Sequence, residues 1–412
     1  MKMTKLFLAA ALIALGFTAC GNEEAFEREG AKANITVRVL ASGQNARSIG
    51  DLTGDGILPL GLPKESVINN VEVWVFSGGI LDGYGYNVIA QGGQLIVEDI
   101  EATSGTRTMV VTANTRHLAI GRTVGTTTEA MVLAALAGNL TQDIAANGMI
   151  MTAEPQTIVL EPGFNVWGNV ADTQHAGTVV NQVSPNNDPL PLTRINARIA
   201  LVGMTQNFSG HPVVEDFVLH DVALFNVRSQ SRLFNAATTP PLLAGNLTTD
   251  FWFGSAFPTT SNSYVQGTQN AGLVNTGISA SAPVLGVTAA TAHYFYVFEN
   301  DANTLGDAGN NATFIVLRGR LRNAAGGYVV APGLYTDAAG FTYYAIWVND
   351  PNFNDGGTLS NPDGTIRRNR QYNITVHITG VGNPTIDPVE EAFLDVIVSV
   401  QPWVVEAQHV EW

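Results

Sequence analysis

Seven histidines, one cysteine and 35 carboxylates are the side chains of this 412-residue chain that could carry chemistry. A zinc protease needs two imidazoles on one helix face with a glutamate beside the first, and no H-E-x-x-H occurs. The histidines lack paired spacing and a cysteine partner, so they read as surface or structural residues and no metal site is assigned. The stretch DPNFNDGGTLSN puts Asp350, Asn352 and Asn354 at alternate positions, as a calcium loop does. It departs from that pattern twice, with Asp355 at the glycine position and Asn361 in place of the closing glutamate, so a turn-rich loop is expected. No G-x-S-x-G elbow, phosphate-cradling glycine loop or dinucleotide fingerprint occurs. The chain reads as a non-enzyme that takes no cofactor.

The single thiol is placed differently. Lys2 and Lys5 form a short positive region, and Leu6 to Gly16 an apolar run. At about eleven residues the run falls short of the roughly twenty that a spanning helix needs, and it fits the core of an export signal. Thr18 and Ala19 then precede Cys20. A small residue directly before a cysteine is the lipobox pattern: the thiol is alkylated with diacylglycerol, the signal is cut before it, and the cysteine becomes the N-terminus. Phe17 stands where leucine is commonest. The alternative is an ordinary signal with a cysteine there by chance. On the lipoprotein reading Cys20 serves as a lipid anchor and has no disulfide or redox role.

The elements that would carry such a chain are strands. Gly 42, Pro 18 and only 13% charged residues accompany long Thr/Val/Asn stretches. The net charge of −15, with Lys and Arg scattered, leaves no footprint for nucleic acid. After an acidic, aperiodic tether from Gly21 to about Lys32, KANITVRVLA alternates, with Ala33, Ile35, Val37 and Val39 on one side. Strands resume in VINNVEVWVFSGG, GGQLIVEDI, RTMVVTANT and MTAEPQTIVL. One helix is expected, capped from Thr126 to Glu129 and ending on Gly138. The polar, proline-bearing stretch HAGTVVNQVSPNNDPLP marks a domain boundary near residue 190. Beyond it TRINARIALVGM, VEDFVLHDVALFNVRSQSRLF, HYFYVFEN, TFIVLRGRL and FTYYAIWVND are again strand-like. The expected fold is all-β: two β-sandwich domains, 48–190 and 191–412, with one short helix in the first.

Both ends of the chain resemble one family. The tail carries Arg368, Asn369, Tyr372, Ile374, Val376, Ile378, Thr379, Gly380 and Gly382, then Pro402, Trp403, Val404, Val405 and Trp412. It is similar to the C-terminus of FimA-type major fimbrial subunits, the type V pilins. At the front, the lipobox, NITVRV and the segment with Ser42, Gly43, Arg47, Gly50 and Asp51 resemble that family too, with weaker echoes in VVTANT and LTRINARIA. The resemblance implies two transthyretin-like Greek-key sandwiches. It implies export as a lipoprotein (signal 1–19, propeptide 20–47) and cutting by an arginine-specific surface protease in the loop after the first strand. The freed subunit would then accept a neighbour's C-terminal strand, joining copies of itself and minor fimbrial subunits into a surface fimbrium that serves adhesion. No residue identifies a receptor.

The residues are compatible with that route. Arg47 has small or turn-forming neighbours, Asn45, Ala46, Ser48 and Gly50, that a protease can draw out extended. Arg38 lies inside a strand, and a cut at Arg28 would leave the first strand in place. Removal of 1–47 leaves 14 basic and 31 acidic residues, a net charge of −17. The lost strand, with Ile35, Val37 and Val39, would open an apolar groove flanked by unpaired edges. The tail, about 391–412, offers Ala392, Leu394, Val396, Val398 and Val400 on one face at period two, then Trp403. Burying four such side chains stabilises by roughly 6–12 kcal/mol before ordering costs. The same tail could instead complete its own domain. A tip or anchor subunit is the alternative within the family; a surface glycan-binding lipoprotein is the alternative outside it, which exposed aromatic platforms would favour. N-terminal sequencing of surface-released protein should give a start at Ser48, and an Arg47→Ala variant should stay anchored and start at Cys20. A wild-type start other than Ser48, or an unchanged Ser48 start in the variant, would show that cutting at Arg47 is not the processing step.

Overall fold

The alternation that opens the chain is realised as the strand β1 (Lys32–Ala41), whose Ala33, Ile35, Val37 and Val39 are all at most 1% exposed. The computed structural model describes residues 30–41, 65, 67–88, 95–138, 147–168, 180–234, 247–255, 257, 264–301, 311–350, 363–387 and 394–402. After β1 come β2 (Asn70–Ser77), β3 (Ile80–Val88), β4 (Ile96–Thr103) and β5 (Gly105–Ala113). The helix α1 (Glu129–Leu133) is followed by β6 (Leu136–Ala137), β7 (Met151–Thr152) and β8 (Gln156–Leu160). β9 (Gly163–Trp167), β10 (Val180–Gln182) and β11 (Leu190–Arg194) end the first half.

These strands form two layers that meet in one core. One layer holds β4, β1, β9 and β10 side by side; the other holds β3, β2, β5, β7 and β11, with β8 also on β5. β2 is buried along nearly its whole length because it is covered on both sides. Val71, Val73 and Val75 face the core shared with β1, while Trp74 and Phe76 face a second cluster that includes Val132 of α1.

The helix is shorter and later than its sequence suggests. Its N-cap is Thr128, whose hydroxyl accepts from the Met131 amide at 3.2 Å, because β3 has claimed the residues before it. Leu81 N donates to Thr127 O, Gly125 N to Leu81 O, and Glu129 N to Gly79 O, so Thr126 cannot open the first turn. The far end stops at Leu133 because Leu136–Ala137 pair with a strand of the second half. Two other stretches divide differently from expectation. MTAEPQTIVL splits into β7 and β8 around Pro155, which has no amide to give a ladder. The expected boundary loop contributes β10, which runs parallel to β9.

The second half continues with β12 (Asn196–Gln206), β13 (Asp216–Phe225), β14 (Val227–Arg228) and β15 (Ser231–Arg232). A one-turn helix, α2 (Leu247–Asp250), adds to the single helix expected and leads into β16 (Phe251–Gly254). Then come β17 (Thr268–Asn270), β18 (Val274–Asn275), β19 (His293–Phe298), β20 (Phe314–Arg322) and β21 (Thr342–Trp347). β22 (Arg370–Ile378) and β23 (Leu394–Pro402) complete it. The orders β19-β12-β22-β23 and β18-β13-β20-β21 enclose a core of Ile199, Phe217, Leu224, Ile315, Tyr372 and Ile374, among others. Outside the second of these sheets, Phe225, Phe253, Phe257, Phe314 and Trp347 pack together.

Under the first half's outer cluster lies a buried carboxylate. Glu72 receives Arg122 Nε at 2.6 Å, Tyr84 Oη at 2.7 Å and Thr115 Oγ1 at 2.7 Å. Burial works to raise its carboxyl, but these hydrogen bonds and the Arg122 charge prevail and hold it below the ordinary 4.5. Burial, and then the nearby Glu72 carboxylate, pushes the Tyr84 phenol up to about 12. A carboxyl whose folded value is depressed contributes stability above its unfolded value and loses it as the pH falls through the folded one. Glu72→Gln should therefore lower the melting temperature at neutral pH and flatten its decline below about pH 4.5. Parallel melting curves for the two proteins from pH 7 to 3 would count against this role.

Candidate assembly site

The first and the last strands among the described residues are held in contrasting ways. β1 is held on three sides. Residues Lys32–Arg38 pair antiparallel with β4, and Ala33–Val37 pair parallel with β9. After a shift in the β4 register between Ile35 and Val37, Val39–Ala41 pair parallel with β11 of the facing layer. β1 therefore starts in one layer and finishes in the other. Its buried stripe packs with Val97, Ile100 and Ala102 of β4, and with Val73, Val111 and Leu192 of the opposite layer. The other face is only half-buried: Thr36 Oγ1 accepts from Asp99 N at 3.2 Å, and Lys32 meets Glu101 at 3.1 Å in solvent. Asn165 Nδ2 donates to Asn34 O and Glu161 O, and its Oδ1 accepts from Glu161 N, fixing the turn into β9.

β23 is held quite differently. It is the outer member of its sheet and pairs antiparallel with β22 along nine register positions. Leu394, Val396, Val398 and Val400 are the register partners of Ile378, Val376, Ile374 and Tyr372, all four of which are buried. β22 itself is secured by its parallel ladder to β12.

The residues before β22 have structural tasks. Arg368 forms an ion pair with Glu299 and donates to the carbonyls of Arg232 and Leu233, at 3.0 Å each. Asn369 adopts a left-handed φ of 56° and donates its amide to Asn196 O. After β22, Gly380 O accepts from Tyr344 Oη at 2.7 Å. Gly382 lies so close to Tyr343 O that an added Cβ would stand 2.6 Å from it. The proline-bearing spacer is partly fastened: Asn383 bridges to Tyr343, and Ile386 is buried beside the outer aromatic cluster.

Sequence reasoning missed a buried polar cross-brace between the halves. Glu65 precedes β2, and its carboxylate receives Arg198 Nη1 of β12 at 2.6 Å and Tyr296 Oη of β19 at 2.8 Å. Arg198 Nη2 reaches Gln371 Oε1 of β22 at 2.6 Å, and Arg194 Nε donates to Glu65 O at 3.2 Å. Burial, and then the Glu65 charge, raises the Tyr296 phenol far above its ordinary value. The one available signal was the pair of arginines inside the apolar run TRINARIALVGM, which must find buried partners.

Cys20, Arg47, Ser48, Ala392 and Trp403 lie outside the described residues, as do Asn352 and Asn354. Among the described residues, no three of His, Cys, Asp or Glu gather as metal ligands. Trp74, Trp167 and Trp347 are core residues rather than a surface platform, and Trp252 packs against the second half's core.

Residues 33–194 match a family model described as "Major fimbrial subunit protein (FimA)". Over the full length of both chains, the sequence is 29% identical to a major fimbrium subunit FimA type-2 of Porphyromonas gingivalis. The fold resembles that of a P. gingivalis fimbrilin, with a TM-score of 0.68 and 24% identity over 91% of this chain and 99% of that one. It also resembles a putative cell adhesion protein of Parabacteroides distasonis, with a TM-score of 0.64 and 19% identity over 90% of this chain and 99% of the other. With the strand order and the tail motif in place, the chain is similar in sequence and fold to FimA-type fimbrial subunits along its whole length.

Proposed function

We propose that this chain is the structural subunit of a surface fimbrium, and that its copies are joined by exchange of the C-terminal strand. The precursor is exported on a signal (1–19), lipidated at Cys20 in the outer membrane, and cut after Arg47 by an arginine-specific surface protease. The propeptide, 20–47, leaves with β1. Two domains remain, and β11 (Leu190–Arg194), which pairs with β7, stays with the first, a few residues past the boundary expected at 190. The groove vacated by Ile35, Val37 and Val39 then takes the tail of a neighbour, through Ala392, Leu394, Val396, Val398 and Val400, with Trp403 following.

The observation that carries this reading is the contrast between the two strands. β1 is paired along both sides and fills the core with four aliphatic side chains. Its removal leaves an apolar slot between β4 and β9 that a period-two aliphatic strand fits. β23 is such a strand by sequence and, among the described residues, is held in its own sheet from one side only. Each backbone hydrogen bond given up is worth about 1 kcal/mol net and is remade in the new ladder. Exchange gives up one ladder and forms ladders to both β4 and β9, so hydrogen bonding adds modestly to the main drive, which is the filling of the empty slot. The tail also favours a shaft subunit over a tip, which accepts a strand but need not donate one.

Deleting Phe393 to Trp412 should leave subunits exported and cut, yet give no ladder of joined subunits on denaturing gels after mild heating. Filaments from that deletion would disprove the donor assignment. Ile35→Ala separates the precursor from the polymer. It should destabilise the precursor by about 2–5 kcal/mol in denaturant melts, the usual cost of removing a buried aliphatic side chain. It should leave the heat resistance of the ladder unchanged, because residue 35 has been discarded. A ladder weakened along with the precursor would mean that β1 stays in the assembled subunit.

A further inference from the structure

The end of the second half from which the tail departs has a distinctive surface. β12 and β22 finish there, since Asn207 N donates to Ile378 O. β13 starts and β20 finishes there, with Asp216 opposite Arg322 and Glu215 N donating to Arg322 O. β23 begins there, with Leu394 opposite Ile378. The loops 207–215, 279–287 and 323–341 therefore surround the tail's point of departure. Each loop sends one apolar residue into the core and a neighbouring one outward. Val214 is buried while Val213 is 49% exposed; Val329 is buried while Val330 is 53% exposed. Val287 is buried while Leu285 is 40% exposed, and Tyr335 packs on the core while Leu334 is 72% exposed. Tyr328, 48% exposed, lies 5.1 Å beneath the Arg320 guanidinium.

Of the nine large hydrophobic residues exposed among the described residues, five stand on these three loops. Scattered exposed aliphatics need no explanation, but a group around one end of a molecule marks a contact surface. Folding does not require them, because the inward neighbours already fill the core and a polar residue at an exposed loop position costs little.

We propose that this apolar rim is a docking surface for a second copy of this chain, the copy that accepts the tail. The inference rests on the strand-exchange reading and adds a second, rigid contact to it. The described part of the spacer runs to Asp387 and the donor strand begins at Leu394; seven residues of chain, however they run, reach at most about 25 Å. An acceptor joined through that tail is thereby brought against the end of the molecule that carries the rim. The strand supplies the bond; the rim fixes the angle between successive subunits by burying Val213, Leu285, Tyr328, Val330 and Leu334.

The chain's sole cysteine lies ahead of the processing loop, so a mature Leu334→Cys subunit carries one thiol. Its maleimide labelling rate is compared between sheared fimbriae and an unprocessed precursor that also carries Cys20→Ser. Burial at an interface predicts labelling at least about tenfold slower in fimbriae, restored on denaturation. Val330→Asp with Leu334→Asp should leave precursor melting unchanged and still give joined subunits, but in shorter filaments. Equal labelling in fimbriae and precursor, or filaments of unaltered length from the double variant, overturns the inference. If the unsubstituted chain forms no ladder, strand exchange fails and this inference falls with it.

Discussion

The burial of one face of β1 is the constraint on which the first half depends. Ala33, Ile35, Val37 and Val39 touch side chains from both layers, and the strand crosses from the β4–β9 layer to β11 of the other. A sandwich is usually closed by the complementarity of two finished sheets. Here one sheet is finished only by a strand that also belongs to the other. Without it, β4 and β9 have no hydrogen-bonded neighbour between them, and Val97, Ile100, Val73 and Leu192 lose their cover at once.

What keeps the rest in place is polar and lies between the halves. Glu65, Arg198, Tyr296 and Gln371 form a buried chain of charge-assisted hydrogen bonds, supported by Arg194 on the Glu65 carbonyl. A buried ion pair is a poor source of net stability, but losing one partner costs about 3–5 kcal/mol because the other is stranded. The brace is therefore better understood as fixing position. It ties the residue that leads into β2 to three strands of the second half. On the strand-exchange reading, the chain after the cut stays fastened at Glu65 while everything before the cut departs, so the slot keeps its shape.

The parts of this architecture that could be read from the sequence are those set by alternation. β1 and β22 follow period-two patterns, and the tail motif marks β22 and β23, because a strand with one buried face writes that face into every second residue; β13 and much of β20, covered on both faces, are instead apolar runs. The helix was misplaced for a tertiary reason: three backbone groups from Gly125 to Glu129 bond to β3 and its turn, which moves the cap from Thr126 to Thr128. A local capping signal holds no record of that competition. The Glu65 brace was illegible because its partners lie more than 130 positions away, at Arg198, Tyr296 and Gln371. The tail motif was legible as a motif but not as mechanics: Arg368 holds Glu299 and two carbonyls, and Gly382 leaves room for the Tyr343 carbonyl.

β1 and β23 also differ in what their loss would do, and on the strand-exchange reading the difference gives exchange a direction. Taking β23 from its sheet uncovers one edge of β22, which keeps its ladder to β12 on the other side. Taking β1 away splits β4 from β9 and opens a core. The first loss leaves a sheet with a new edge; the second leaves a cavity lined by aliphatic side chains, which is far more costly in water. A tail that moves from the first position to the second therefore goes downhill. On the same reading, a propeptide that has been severed and released could not compete for the slot, because its local concentration would fall from that of a tethered segment to that of a free one. Proteolysis, on this argument, supplies irreversibility, and the asymmetry between an edge strand and a core strand supplies the drive.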